Sequence, residues 1–282
     1  MRPPGPAAAT WLSRFESFDV VGSTNDVVGG WLREGAQEVC VALADVQAAG
    51  RGRNGRSWAQ PSGAGLLLSA GFRPSWLEIG HLWRLGAIMS LAMAEAGEVA
   101  AGLPAGTISL KWPNDLVSID RSTGDVRKLG GTLGETDGVG TADPKAVIGI
   151  GVNVDWARDL FPPEMASSMT SLSALAPAGS VDREAVLEGF LERMHVGIEA
   201  LRLGEFPSED WRRRQLTNGL IVMLDQLDGT TATVVAEDVD TESGALLVRE
   251  PDERVGVGAS GHERRRSVVV GEIRHLRVGG TV

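Results

Sequence analysis

The chain has 282 residues, with 43% hydrophobic and 23% charged residues, so it is long enough for one large core or for a core with a small satellite domain. No apolar run approaches the ~20 residues of a membrane span, and the opening MRPPGPAAATW, expected to fray, does not resemble a secretory leader. A net charge of -10 argues against a general binder of phosphate backbones, so a cytoplasmic protein with neither nucleic acid nor membrane as partner is expected.

In chain order, Ser23 and Thr24 in GSTNDVVGGWLREG are cap candidates, and Asp26 stands where a capping box places an acid. A short helix to about Gly35 is predicted. EVCVALADVQ and GLLLSAGF read as buried strands on either side of a Gly/Arg loop, AGRGRNGRSW. From about Leu77 to Ala101, Ile79, Leu82, Trp83, Ile88, Leu91 and Ala94 fall near one stripe of a long core helix. TISLKWPNDLVSID, the turn RSTGD and VRKLGGTLGET read as strand, turn and strand, and KAVIGIGVNVD as a further buried strand. Helical patterns return from Asp182 to about Leu203 and around Trp211. Mostly consecutive strands with helices elsewhere make an α+β sheet. After Thr217, short strands between Gly and Asp turns predict a small β-barrel. The expected division is 1–217 and 218–282, and the Gly/Arg-rich stretch around 256–266 has no derivable role.

Cys40 is the only cysteine, which excludes an intrachain disulfide and a cysteine-built zinc site. His81, His195, His262 and His275 lack metal-ligand spacing. Of 27 basic residues only Lys111, Lys128 and Lys145 are lysine. In a chain that otherwise uses arginine, each retained ammonium marks a place where a compact point charge is wanted.

Gly50-Arg51-Gly52-Arg53-Asn54-Gly55 has the spacing of a dinucleotide fingerprint, but a strand follows it where that fold needs a helix. No Gly-Lys-Ser/Thr closes a Walker loop either. What remains is a loop offering Arg51, Arg53 and Arg56 among glycines, suited to an adenylate or polyphosphate, or else a solvated basic hairpin loop. With three glycines and like charges it has little to hold it, so it is expected to be mobile without ligand. KWPND joins Lys111, Asn114 and Asp115 and suits Mg²⁺, ribose or a reacting amine, or simply caps a strand. Lys128 precedes Gly130-Gly131, where missing side chains leave room for a ligand. Asn153 ends an apolar strand, where a buried amide needs partners.

Taken in order, STN at 23–25, QAAGRGRNGRSW at 47–58, KWPND at 111–115, KLGG at 128–131, GIGVNV at 149–154 and GEI at 271–273 resemble the biotin protein ligases. The resemblance implies a catalytic domain with the class II aminoacyl-tRNA synthetase-like fold and an SH3-like β-barrel behind it. It implies that biotin and MgATP give biotinyl-5′-AMP and pyrophosphate, and that the acyl group then passes to one lysine of the biotin carboxyl carrier domain of an acyl-CoA carboxylase. Biotin would be held by Ser23, Thr24, Asn25, Gln47, Gly50, Arg51, Gly52, Arg53, Lys128 and Gly131. ATP and the adenylate would be held by Arg51, Arg53, Arg56, Trp58, Lys111, Asn114, Lys128 and Asn153, with Lys128, Arg53 and Asp115 catalytic. Mg²⁺ is expected to be held mainly by the ATP phosphates. Only 22 residues precede Ser23, too few for the helix-turn-helix domain of the family's repressors, so a ligase without DNA binding is expected, as a monomer or weak homodimer. The alternatives are a lipoate or octanoate ligase, disfavoured by GRGRNGRSW with KWPND, and a non-catalytic binding module, disfavoured by Lys128 and Asp115.

Overall fold

The computed structural model describes residues 10–120, 123–226, 228–251 and 265–275. The opening segment 1–9, His262 and all of the Gly/Arg-rich stretch except Arg265 and Arg266 lie outside the described residues. The elements in chain order are β1 (Arg14–Val21), α1 (Thr24–Arg33), β2 (Cys40–Gln47), β3 (Gly65–Phe72), α2 (Trp83–Ala100), β4 (Ser109–Lys111), β5 (Asp115–Ile119), β6 (Val126–Asp137) and β7 (Lys145–Asn153). The short α3 (Leu172–Leu175), α4 (Arg183–Arg202) and α5 (Ser208–Arg213) follow, then β8 (Leu220–Asp225), β9 (Thr231–Val239), β10 (Leu246–Arg249), β11 (Arg266–Val268) and β12 (Glu272–His275).

Strands β1 to β7 form one mixed sheet in the order β1-β2-β3-β7-β6-β5-β4. Only β1 and β2 run parallel, joined through α1, so the α+β sheet opens with one βαβ unit. Helices α2 and α4 cover one face and α1 the other, so β3 is buried along its whole length. Alternation sorts the strand residues: Val41, Leu43, Leu68, Ala70, Ile148 and Ile150 join the larger core, while Cys40, Ala42 and Val147 pack with Val28 and Leu32 of α1. Helices α2 and α4 meet closely because Gly197 has no Cβ, which would stand 2.7 Å from Ile88 Cγ2.

The remaining strands form a five-stranded antiparallel sheet in the order β11-β10-β9-β8-β12. Its outer strands do not pair among the described residues, so the expected barrel is seen here as an open sheet.

Several sequence expectations are corrected. The run 107–120 is two strands, because Pro113, which has no N–H for a ladder, sits in a tight turn that pairs Lys111 with Asp115. The core helix starts at Trp83, after a separate turn at Ile79–His81 that leaves Ile79 exposed. Ser23 caps α1 by backbone geometry alone, without a side-chain hydrogen bond, and Asp26, the expected capping-box acid, pairs with Arg51 instead. The helix stops at Arg33, where Gly35 takes φ +97° and the N–H of Ala36 bonds back to the carbonyl of Trp31 at 2.9 Å. Strand β1, an exposed edge, was not anticipated.

Candidate active site

The α1 face of the sheet carries rows of paired residues: Asp115, Gly131, Gly151 and Leu67 in one, Leu133, Gly149 and Ser69 in the next, then Glu135, Val147 and Gly71. Gly149 and Gly151 of β7, with Gly131 of β6, leave this part of the sheet bare. Over it lies a cavity of about 200 Å³ that reaches from Ser23, Thr24, Asn25 and Gln47 at one end to Lys111, Asp115 and Lys128 at the other.

Lys128 reaches this face through a β-bulge. Asp115 pairs with Gly131 and Leu116 with Gly130, but Val117 pairs with Lys128, so Leu129 is the extra residue. The bulge turns Lys128 to the side of Asp115, and its Nζ lies 2.6 Å from Asp115 Oδ1. The ammonium also lies 5.2 Å from the centre of the Trp58 ring. Lys111 Nζ stands 3.8 Å from Asp115 Oδ2. Burial pulls the Lys111 ammonium below the usual lysine range, against the raising effect of Asp115. The Lys128 backbone is strapped to the segment before α3: its N–H donates to Ser168 at 2.7 Å, and its carbonyl accepts from Thr170 at 2.9 Å. That segment brings Met165 and Met169 to the cavity wall.

At the polar end, Gln47 Oε1 accepts from Thr24 twice, from its N–H at 2.7 Å and from its Oγ1 at 3.0 Å. Ser69 Oγ stands 2.7 Å from Thr24 Oγ1 and 2.6 Å from Asn25 Oδ1. Ser23, Thr24, Asn25 and Ser69 are all buried. Gly149 is required here, because a Cβ would collide with Asn25 Oδ1, and one on Gly151 would lie 2.5 Å from Trp58 Nε1.

The Gly/Arg loop has more to hold it than its composition promises. Arg51 donates bidentately to Asp26 at 2.8 Å for each bond. Arg53 donates to the carbonyl of Gly271 at 3.3 Å, and burial lowers its pKa. Asn54 donates to Glu272 at 3.0 Å, and Arg56 pairs with the same carboxylate. Burial works to raise the Glu272 carboxyl, but Arg56 and Asn54 outweigh it and hold it below the usual range. Glu272, from the GEI strand of the second sheet, thus closes the cavity from the far side. An open groove of about 710 Å³ starts from the same Arg56, Lys111, Asp115, Lys128 and Glu272.

The cavity therefore gathers all but two of the residues singled out from the sequence: Ser23, Thr24, Asn25, Gln47, Arg51, Gly52, Arg53, Arg56, Trp58, Lys111, Asn114, Asp115, Lys128 and Gly131 line it. Gly50 and Asn153 do not. Gly50 packs against the Trp58 carbonyl where a Cβ would collide. Asn153 is wholly buried and donates to the carbonyl of Thr170 at 2.9 Å, so it anchors the strap and does not face the cavity. Arg51 lines the cavity, but its guanidinium is spent on Asp26 and Glu135. Sequence reasoning missed Asp26, Ser69, Glu135 and Glu272 as participants. GEI alone carried a usable signal, as a motif assigned no role. Among the described residues no cluster of three His, Cys, Asp or Glu could hold a metal ion, and Asp115 is already engaged by two lysines.

Residues 17–153 match the model of the Biotin/lipoate A/B protein ligase family. Over 272 residues the chain is 30% identical to the biotin–[acetyl-CoA-carboxylase] ligase of Mycobacterium tuberculosis, covering 94% of this chain and 91% of that one. It is 32% identical over 173 residues to the bifunctional ligase/repressor BirA of Bacillus spizizenii, which is 61% of this chain and 50% of that protein. The fold is similar to that of the biotin protein ligase from Aquifex aeolicus in complex with biotin and ATP, with a TM-score of 0.70, 26% identity, and coverage of 94% of this chain and 99% of that one.

Proposed function

The chain belongs to the Biotin/lipoate A/B protein ligase family, and from that premise we propose that it is a biotin protein ligase that attaches biotin, through biotinyl-5′-AMP, to one lysine of the biotin carboxyl carrier domain of an acyl-CoA carboxylase. The observation that carries the choice of acid is the polar end of the cavity, the buried Ser23, Thr24 and Asn25 with the half-buried Gln47. A cyclic urea head has donors and an acceptor to match these groups. The dithiolane of lipoate or the alkyl tail of octanoate offers no such hydrogen bond to this polar end, and a site lined for hydrogen bonding rejects a ligand that cannot supply it.

In the first step a biotin carboxylate oxygen bonds to the α-phosphorus of ATP, and the bond to pyrophosphate breaks. Both reactants are anionic, so the barrier depends on fixed positive charge. Lys128, Arg53, Lys111 and Arg56 surround the acid end of the cavity and supply it. Mg²⁺, which binds through few carboxylates and mostly through substrate phosphates, is assigned mainly to the ATP phosphates. Trp58, Met165 and Met169 form a wall on which an adenylate can lie.

In the second step the neutral amine of the carrier lysine enters by the open groove beside Asp115. Its nitrogen bonds to the acyl carbon, the bond to the phosphate oxygen breaks, and AMP leaves. Asp115 receives the proton that the amine sheds. The loop, tied to Asp26 and Glu272, keeps water from the acyl-adenylate. We further assign the catalytic, synthetase-like unit to 1–217 and the small SH3-like unit to 218–282, acting as a monomer or weak homodimer in the cytoplasm without nucleic acid.

Pyrophosphate–ATP exchange by the purified protein tests this directly. Exchange dependent on biotin, and absent with lipoate or octanoate, is expected. Exchange only with the fatty acids would move the same site to lipoate chemistry, and none with any acid would overturn the enzyme reading.

A further inference from the structure

We propose that Glu135, outside every motif that marks the site, is a positioning residue that locks the Gly/Arg loop to the polar end of the cavity, so that gripping the head of the acid and holding the loop are one event. The proposal rests on the ligase reading above for its substrate, but the linkage itself is a matter of geometry. Glu135 Oε2 accepts from Asn25 Nδ2 at 2.9 Å, and Oε1 accepts from Arg51 Nη2 at 3.1 Å. From Asn25 the chain of contacts runs on through Ser69 to the Thr24 hydroxyl, and from the Thr24 backbone N–H to Gln47 Oε1.

Gln47 and Arg51 are the two ends of one short backbone segment, so the side-chain path returns to the segment it left. Strand β2 ends at Gln47, and Arg51 is the first arginine of the loop that follows it. This closed ring of hydrogen bonds fixes the base of the loop against α1 and against the neighbouring strands. Asp26 also grips Arg51, but among these residues only Glu135 joins Arg51 to the amide of Asn25. Its register explains why it reaches: Glu135 lies on the same face as Leu133 and Gly131, two and four residues back along β6.

Removing the charge and half the acceptor capacity of this group uncouples the two ends. In Glu135→Gln the amide oxygen serves one donor, while its NH₂ is set against the other. Trypsin, which cuts after arginine, reads the loop without any substrate. Nicking within 51–56 is expected to be about tenfold faster in Glu135→Gln than in wild type, as a charge-assisted link is lost from a locally opening segment. In exchange assays the same variant is expected to raise KM for biotin about tenfold and to change kcat less than about threefold. In an Arg51→Ala background the substitution is expected to add less than about twofold to the nicking rate, since its partner on the loop is gone.

Equal nicking rates in wild type and a folded Glu135→Gln, or full additivity with Arg51→Ala, would overturn the proposal. A wild type that shows no biotin-dependent exchange would overturn the ligase reading instead, and would leave the trypsin result to decide the linkage.

Discussion

Lys128 Nζ lies 2.6 Å from Asp115 Oδ1 because the extra residue Leu129 turns Lys128 onto the face that Asp115 occupies. In regular pairing Leu129 would stand opposite Val117, and Lys128 would point to the other side. The bulge therefore decides which charge the cavity contains, and it does so beside Gly131, where a Cβ would lie 3.4 Å from the ammonium.

Lys128→Ala is expected to lower pyrophosphate exchange on the order of 10²–10³-fold, the scale of losing one preorganised charge at a developing anion. The side chain is not part of the apolar core, so the thermal midpoint is expected to hold. A folded variant that turns over normally would remove Lys128 from the first step.

Gly149→Ala sets a methyl against Asn25 Oδ1. Asn25 must move, and the hydroxyl–amide chain at the polar end moves with it. The expected loss in kcat/KM for biotin is on the order of 10²-fold, as for an ångström of misplacement, with KM for ATP nearly unchanged. Equal losses for both substrates would show that the methyl disturbs the whole sheet.

The Arg56–Glu272 contact gives a pH signature. The Glu272 carboxyl is held below its ordinary value of 4.5, so its contribution is complete above that value and fades as the pH falls through the depressed one. The ion pair is partly exposed on the Arg56 side, so the stability difference between wild type and Glu272→Gln is expected to be about 0.2–1 kcal/mol at neutral pH. Denaturant titrations from pH 7 to pH 3 should show it shrinking. A difference that grows in acid would reverse the sign and refute the assignment.

Trp112 of the KWPND turn is buried, and its Nε1 donates to the carbonyl of Gly244 at 3.1 Å. Trp112→Phe keeps most of the packing and leaves that carbonyl unpaired. A loss of about 1–3 kcal/mol is expected, visible as a fall in thermal midpoint, with exchange activity retained below it.

Strands buried on both faces were legible in the sequence because small and apolar residues fill them almost throughout: Gly65–Phe72, with Ser69 its one polar side chain, was bounded correctly from its pattern alone. The ordered motifs were legible as one site because each carries a residue type with a chemical purpose. Strand β1 was not, since an edge strand that touches the core mainly through Phe15 and Phe18 shows no regular alternation. The role of Lys128 could be guessed, but its orientation could not, because a bulge depends on what the partner strand does at Val117. Glu135 carried no signal, Asp26 read as a helix-capping acid and Glu272 only as part of GEI, and the fold alone brings them to the arginines of the loop. Asn153 was picked out as a buried amide in need of partners, and the fold gives its Nδ2 one in the carbonyl of Thr170.

The bare strand between Gly149 and Gly151 has a further consequence for inhibition. A compound resting on that stretch touches main chain, which no point substitution can trim away. A mutation there can only add atoms, and the first atom added displaces Asn25 or Trp58. Resistance gained at these positions would therefore be purchased with the enzyme's own grip on its substrates, which makes this floor a surface from which escape is difficult.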